Sequence, residues 1–180
     1  MSILKVDTIN EKTSGNGVAI PGHVIQVVAS EKTDTGSSSS TVPTFTDTGL
    51  SCTITPKFSN SKILVQVNVA LGISTSVFNN MRVVRNIAGG SFSITSGADS
   101  AGSRSAAHAS IYDGDNQGTV YMQDFIHLDS PATTSAVIYK VQFATSGGGA
   151  IYINRSTRDN NSADYDIRAS SRIVLQEIAQ

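Results

Sequence analysis

The chain has a single cysteine, Cys52, in 180 residues, so no disulfide can form within it. A chain of this length makes one domain of ordinary size and buries a core without such a staple. Cys52 sits beside Leu50, Thr53, Ile54 and Thr55 in a strand-like run and reads as a buried structural thiol. A nucleophile would need a positioned base, and its neighbours offer none. Charge is also scarce, with 15% charged residues and a net charge of -1. That balance argues against a nucleic-acid groove or an anionic membrane surface as partner. No apolar run approaches membrane-spanning length, so membrane insertion is not expected. The opening MSILKVDTINEKTSG lacks the apolar stretch and cleavage pattern of a secretory leader. The expectation is a protein made in the cytoplasm that stays there or leaves by lysis or on a particle. Strong helix formers are few on the polar positions. Ser, Thr, Gly and Asn carry the polarity, which suits sheets and turns.

What is present is strand after strand. In Lys62 to Leu71, KILVQVNVAL, the residues Ile63, Val65, Val67, Val69 and Leu71 share one face of an extended chain. Leu64, Gln66, Asn68 and Ala70 share the other. Apolar strands are also expected at Val24–Ala29, Phe45–Thr55 with a bend at Gly49, Met81–Ile87, Ser91–Thr95, Ala106–Tyr112, Thr119–Leu128, Ser135–Ala144, Ile151–Asn154 and Arg172–Ile178. In Thr119–Leu128 the alternation is blurred. Glu31–Thr41, Ser96–Arg104 and Arg155–Asp164 read as polar loops. About ten short strands without helices imply an all-β, antiparallel β-sandwich, a TNF-like jelly roll in which the first and last strands pair. Met1–Gly22 differs: Ile3, Leu4, Val6 and Ile9 form a small apolar set ahead of a polar, Gly-rich stretch and the Pro21-Gly22 turn. Residues 1–22 are expected to be an extended attachment and oligomerisation arm, and residues 23–180 the sandwich.

Motifs for chemistry are sparse. There is no GxSxG elbow, phosphate loop, HExxH or dinucleotide fingerprint. Asp113-Gly114-Asp115-Asn116 clusters oxygen ligands as a calcium site would, but lacks the later Glu of an EF-hand. Gly, Asp and Asn are also ordinary turn residues, and the turn is the preferred reading. Asp164 and Asp166 would share a solvent face if that stretch were a strand. His23, His108 and His127 lack a second ligand at metal spacing; His127 is the one a trimer axis could gather. Scattered arginines, including Arg155 and Arg158, are expected to be solvated. The tyrosines suit core or interface packing better than a carbohydrate platform. No cofactor, metal or catalytic residue is expected.

Several phrases carry a resemblance. ILKVDTINEKTSGNGVAIPG resembles the opening of fibre and appendage proteins of tailed bacteriophages, notably marine phages and cyanophages. TDTGLSCTITPKFSNSKILVQV, DSPATTSAVIYKVQF, AIYINR and the ending ASSRIVLQEIAQ resemble a module at the C-terminal end of such fibres. The resemblance implies a non-enzymatic structural protein of the virion, assembled in the host cytoplasm. It also implies a homotrimer, docking on other virion proteins through Ile3, Leu4, Val6 and Ile9, and contact with a host surface glycan or protein. Almost no shaft separates the N-terminal phrase from the sandwich, so a short spike, a knob or a capsid decoration fits better than a long fibre. A free carbohydrate-binding protein or glycan-active enzyme is the rival of another class.

Overall fold

The computed structural model describes residues 6–74, 77–95, 101–112, 117–162 and 164–180. Among them there is no helix and there are eleven strands: β1 (Val24–Lys32), β2 (Gly36–Ser38), β3 (Thr46–Ile54), β4 (Lys62–Ile73), β5 (Phe78–Ile87), β6 (Ser93–Ile94), β7 (Ala109–Tyr112), β8 (Val120–Asp129), β9 (Val137–Thr145), β10 (Ile151–Ile153) and β11 (Ser171–Ile178). They form two antiparallel sheets.

Three lines of the fabric are broken. Strand β4 pairs along one edge with β8, from Ile63↔Asp129 to Gly72↔Val120. Along its other edge lie β11, facing Lys62 to Asn68, and β10, facing Leu71 to Ile73. Beyond these, β1 pairs β11 and β2 pairs β10. In the second sheet β3 pairs β9 and β9 pairs β5. The far edge of β5 carries β7 at Phe78–Met81 and β6 at Val84–Arg85. Counting β1/β2, β6/β7 and β10/β11 as single interrupted lines, each sheet is four lines wide. The orders are β8, β4, β10/β11, β1/β2 and β3, β9, β5, β6/β7. The chain crosses between sheets after lines one, two, three, five, six and seven, with its first and last lines side by side. That is the eight-strand jelly roll.

The alternation in β4 has the consequence its sequence implies: Ile63, Val65, Val67, Val69, Leu71 and Ile73 are all buried. Leu50 and Ile54 from β3, Met81 and Val83 from β5, Tyr139, Val141 and Phe143 from β9, and Ile173 and Leu175 from β11 meet them in one core. Cys52 is buried there as a free thiol, and burial raises its pKa, as expected of a structural cysteine. Gly49, with φ +87°, marks a register shift in β3 between Asp47 and Ser51, a bulge only glycine adopts without strain.

Two expectations need correction. Glu31–Thr41 is not loop throughout: β1 runs to Lys32 and β2 occupies Gly36–Ser38. Backbone pairing with Ile151–Ile153 builds β2, and such pairing leaves no apolar signature in a Gly-Ser-Ser segment. Ala70 belongs to the outer face of β4 yet is fully buried, because the chain after β10 folds back over that end of the strand. A Cβ at Gly72, on the same side, would lie 2.2 Å from the Arg155 carbonyl oxygen.

Candidate interaction surfaces

No residue of the N-terminal segment from Val6 to Gly22 lies in a strand. Its conformation is set locally. The Glu11 carboxylate accepts the backbone N–H groups of Gly15 and Gly17, both at 2.8 Å, and these bonds lower its pKa. Gly17 packs against Ile25, where a Cβ would come within 3.1 Å of a side-chain methyl. The Gly22 N–H donates to the Ala179 carbonyl at 2.8 Å. Of the four residues singled out for attachment, Val6 and Ile9 are 51% and 56% exposed. Ile3 and Leu4 lie outside the described residues.

Residues 154–170 interrupt the β10/β11 line and form a compact polar insertion. Asn154 roots it. Its Nδ2 donates to the carbonyls of Lys32 and Asp34 at 2.7 and 2.9 Å, and its Oδ1 accepts the Ser171 hydroxyl at 2.6 Å. Asp166 organises the rest. It accepts Arg158 Nε at 2.8 Å and the second guanidinium nitrogen at 3.1 Å. It also accepts the Ser156 hydroxyl at 2.7 Å and the Asn160 N–H at 3.0 Å. The Arg158 guanidinium, with those further donors, holds the Asp166 carboxyl down to about 2 although its burial works the other way. Asp159 bridges Arg155 and Arg168, and Arg155 stacks 3.9 Å over the Tyr152 ring. Arg155 is therefore half-buried within the insertion instead of solvated, while Arg158 is exposed as expected yet pairs with Asp166. Asp164 and Asp166 do not share a face either: Asp166 is buried and Asp164 exposed. An aspartate paired with an arginine eight residues earlier in a loop has no periodic spacing, so sequence reading had no signal for it. Tyr165 and Ile167, 49% and 63% exposed, project from this unit.

Strand β8 exposes a second apolar surface. Met122, Ile126 and Leu128 stand on the outer face of its sheet at 47%, 65% and 43% exposure. Between them Asp124 accepts the Asn68 amide at 2.5 Å. On the inner side Tyr121, Phe125 and His127 are only half-buried, since the facing line consists of the short β6 and β7. His108 packs on Phe125 with ring centroids 4.1 Å apart, and His127 lies 6.0 Å from the same ring. The blurred alternation of Thr119–Leu128 is thus a strand with apolar residues on both sides. A shallow groove of about 510 Å³ runs beside it, lined by Gln66, Asn68, Asp124, Ile126, Arg172 and Val174. The outer face of the other sheet is polar over β3 and β9, where Asp47 accepts Lys140 at 2.8 Å and Gln142 at 2.7 Å and Arg82 stacks 4.0 Å over Phe45; at its β5/β7 rim Phe78 and Tyr112, 53% and 52% exposed, pair with ring centroids 4.9 Å apart.

Two buried polar centres tie elements together. Asp129 at the end of β8 accepts the Tyr139 hydroxyl at 2.7 Å and pairs with Arg85, joining both sheets. Burial, then Asp129, pushes the Tyr139 phenol far above its ordinary pKa, so the hydroxyl remains a donor. Glu177 is fully buried. It accepts the N–H groups of Lys57 and Phe58 at 2.8 and 3.2 Å and Gln26 Nε2 at 2.5 Å, fixing the turn that leads into β4. Neither carboxylate is marked by a sequence motif. Among the described residues no three His, Cys, Asp or Glu side chains group as metal ligands; Asp113 and Asp115 lie outside those residues. His23 is exposed, and the three histidines do not converge on one site.

No protein-family model and no curated protein matches the chain. Among solved structures, the chain is similar to that of T=1 particles derived from infectious bursal virus, with a TM-score of 0.45, 11% identity, and coverage of 98% of this chain and 41% of that one. Chains of the infectious bursal disease virus Gx and Gt strains align at TM-scores of 0.44 and 0.42. Both are 12% identical over 98% of this chain, which spans 45% and 43% of their length.

Proposed function

We propose that the chain is a non-enzymatic structural protein of a tailed-phage virion, a short trimeric fibre, spike or knob that contacts the host surface. One observation carries this reading. Val6 and Ile9 stand exposed on a segment without strand structure, while the sandwich beside them has a complete core of its own. Burying an aliphatic side chain is worth roughly 1.5–3 kcal/mol, so an apolar strip left outside a finished domain favours a seat on other chains. The resemblance of ILKVDTINEKTSGNGVAIPG to appendage openings supplies the kind of seat, another virion protein. The insertion at residues 154–170 supplies a firm polar surface for a host glycan or protein, with Tyr165 and Ile167 at its outside. A capsid decoration protein is the second reading, favoured by the missing shaft: β1 starts at Val24, directly after the arm.

Gold-labelled antibody on intact particles tests the location, with label at the tail tip expected for the first reading and over the shell for the second. A chain lacking Met1 to Ile20 should fold and be left off the particle; normal incorporation would reject the arm. Incubation with host glycans should give reversible binding, whereas cleavage products would reject a non-enzymatic protein.

A further inference from the structure

We propose that β8 is the contact strand between copies of this chain, seated against two neighbours at a three-fold axis; this rests on the trimeric reading above. Among the described residues β8 pairs on one side only, with β4, and does so at ten consecutive positions without a register shift. The other three sheet edges are blunted. The β1/β2 line has a register shift near Val24 and a break before Gly36. Strand β3 bulges at Gly49. The β6/β7 line is two pieces of two and four residues. Bulges and short pieces are the ordinary protection of an edge against association, and β8 has neither.

Both flanks of β8 carry apolar residues, and this selects the occupant and the symmetry. Two antiparallel copies of β8 joined across a two-fold axis would cover the edge alone and leave Ile126, 65% exposed, on an open face. In a closed ring each copy meets one neighbour with one flank and the other neighbour with the opposite flank. A strand with Met122, Ile126 and Leu128 on one side and half-buried Phe125 and His127 on the other matches that division. The groove beside Ile126 extends the outer flank across β4 to Val174 and can receive the neighbour's inner flank. Charge permits a second copy. Asp124, the charged residue of the outer row, is already satisfied by Asn68, and a net charge of -1 per chain leaves little mutual repulsion.

The test is native mass measurement and sedimentation of the full chain, with Ile126→Asp compared against Thr53→Asp. Thr53 is an exposed residue of β3, in the other sheet. The expected result is a three-chain mass for the unaltered protein and for Thr53→Asp. Ile126→Asp should give a single-chain mass with an unchanged circular dichroism spectrum. A one- or two-chain mass for the unaltered protein would overturn the three-fold seat, as would a trimer that survives Ile126→Asp. If Ile126→Asp does not fold, Leu128→Lys takes its place, judged by the same masses. Particle labelling is a separate readout: loss of the trimer in Ile126→Asp with no label on virions would leave the β8 contact standing and reject the virion role.

Discussion

Asp166 shows how one side chain sets the behaviour of a loop. Its carboxyl is held at about 2 against an ordinary 3.8. A depressed carboxyl stabilises the folded form above its unfolded pKa, and that contribution is lost as pH falls through the folded value. The 154–170 insertion should therefore loosen between about pH 4 and about pH 2. Carbon-13 shifts of Asp166 should titrate in that window, and amide exchange within the insertion should accelerate with them. Asp166→Asn should remove the acid step. Tyr139→Phe makes the complementary point inside the sandwich. It takes from Asp129 a donor at 2.7 Å in a buried setting, and an incompletely satisfied buried group costs about 1–3 kcal/mol. Urea unfolding should show a loss of that size with an unchanged slope.

Strands and insertions account for what could and could not be read in advance. The run KILVQVNVAL was legible because β4 is central and one of its faces is wholly dry. The pairing of Val24–Ala29 with Arg172–Ile178 was legible from β11, whose alternate residues Ile173 and Leu175 are buried, more than from β1, where Val24 and Val27 are exposed. The short strand β2 was illegible, since it is defined by what lies beside it. The insertion was legible as polar but not as ordered, because its order comes from charge pairs at irregular spacing. The surface residues of β8 were visible only as a disturbed pattern, which is the mark of a strand with no single wet side. Gly72 belongs to the same scale. Gly72→Ala would drive a methyl into the Arg155 carbonyl. The mutant should lose about 1–3 kcal/mol, in the range of overpacked sites, measured by thermal unfolding, and protease sensitivity should rise within residues 154–170.

For the whole molecule, the sandwich has a buried core of its own, and apolar side chains stand exposed on the arm and on β8. Among the described residues, the arm meets the sandwich where Gly17 packs on Ile25 and where the Gly22 N–H donates to the Ala179 carbonyl. Removing residues 1–20 should lower the melting temperature of the remaining domain by no more than a few degrees, since about 1 kcal/mol shifts a domain of this size by roughly 2–4 °C. A large drop would mean that the arm belongs to the core.

The break between β10 and β11 has one more result. Ile153 faces Leu71 and Arg172 faces Asn68, so the partner strand advances three positions while eighteen residues intervene. The ladder resumes in step on the far side of them. Length can change at the exposed side of the insertion, around Tyr165 and Ile167, without any neighbouring strand having to slide, while Asn154 and Ser171 hold its roots.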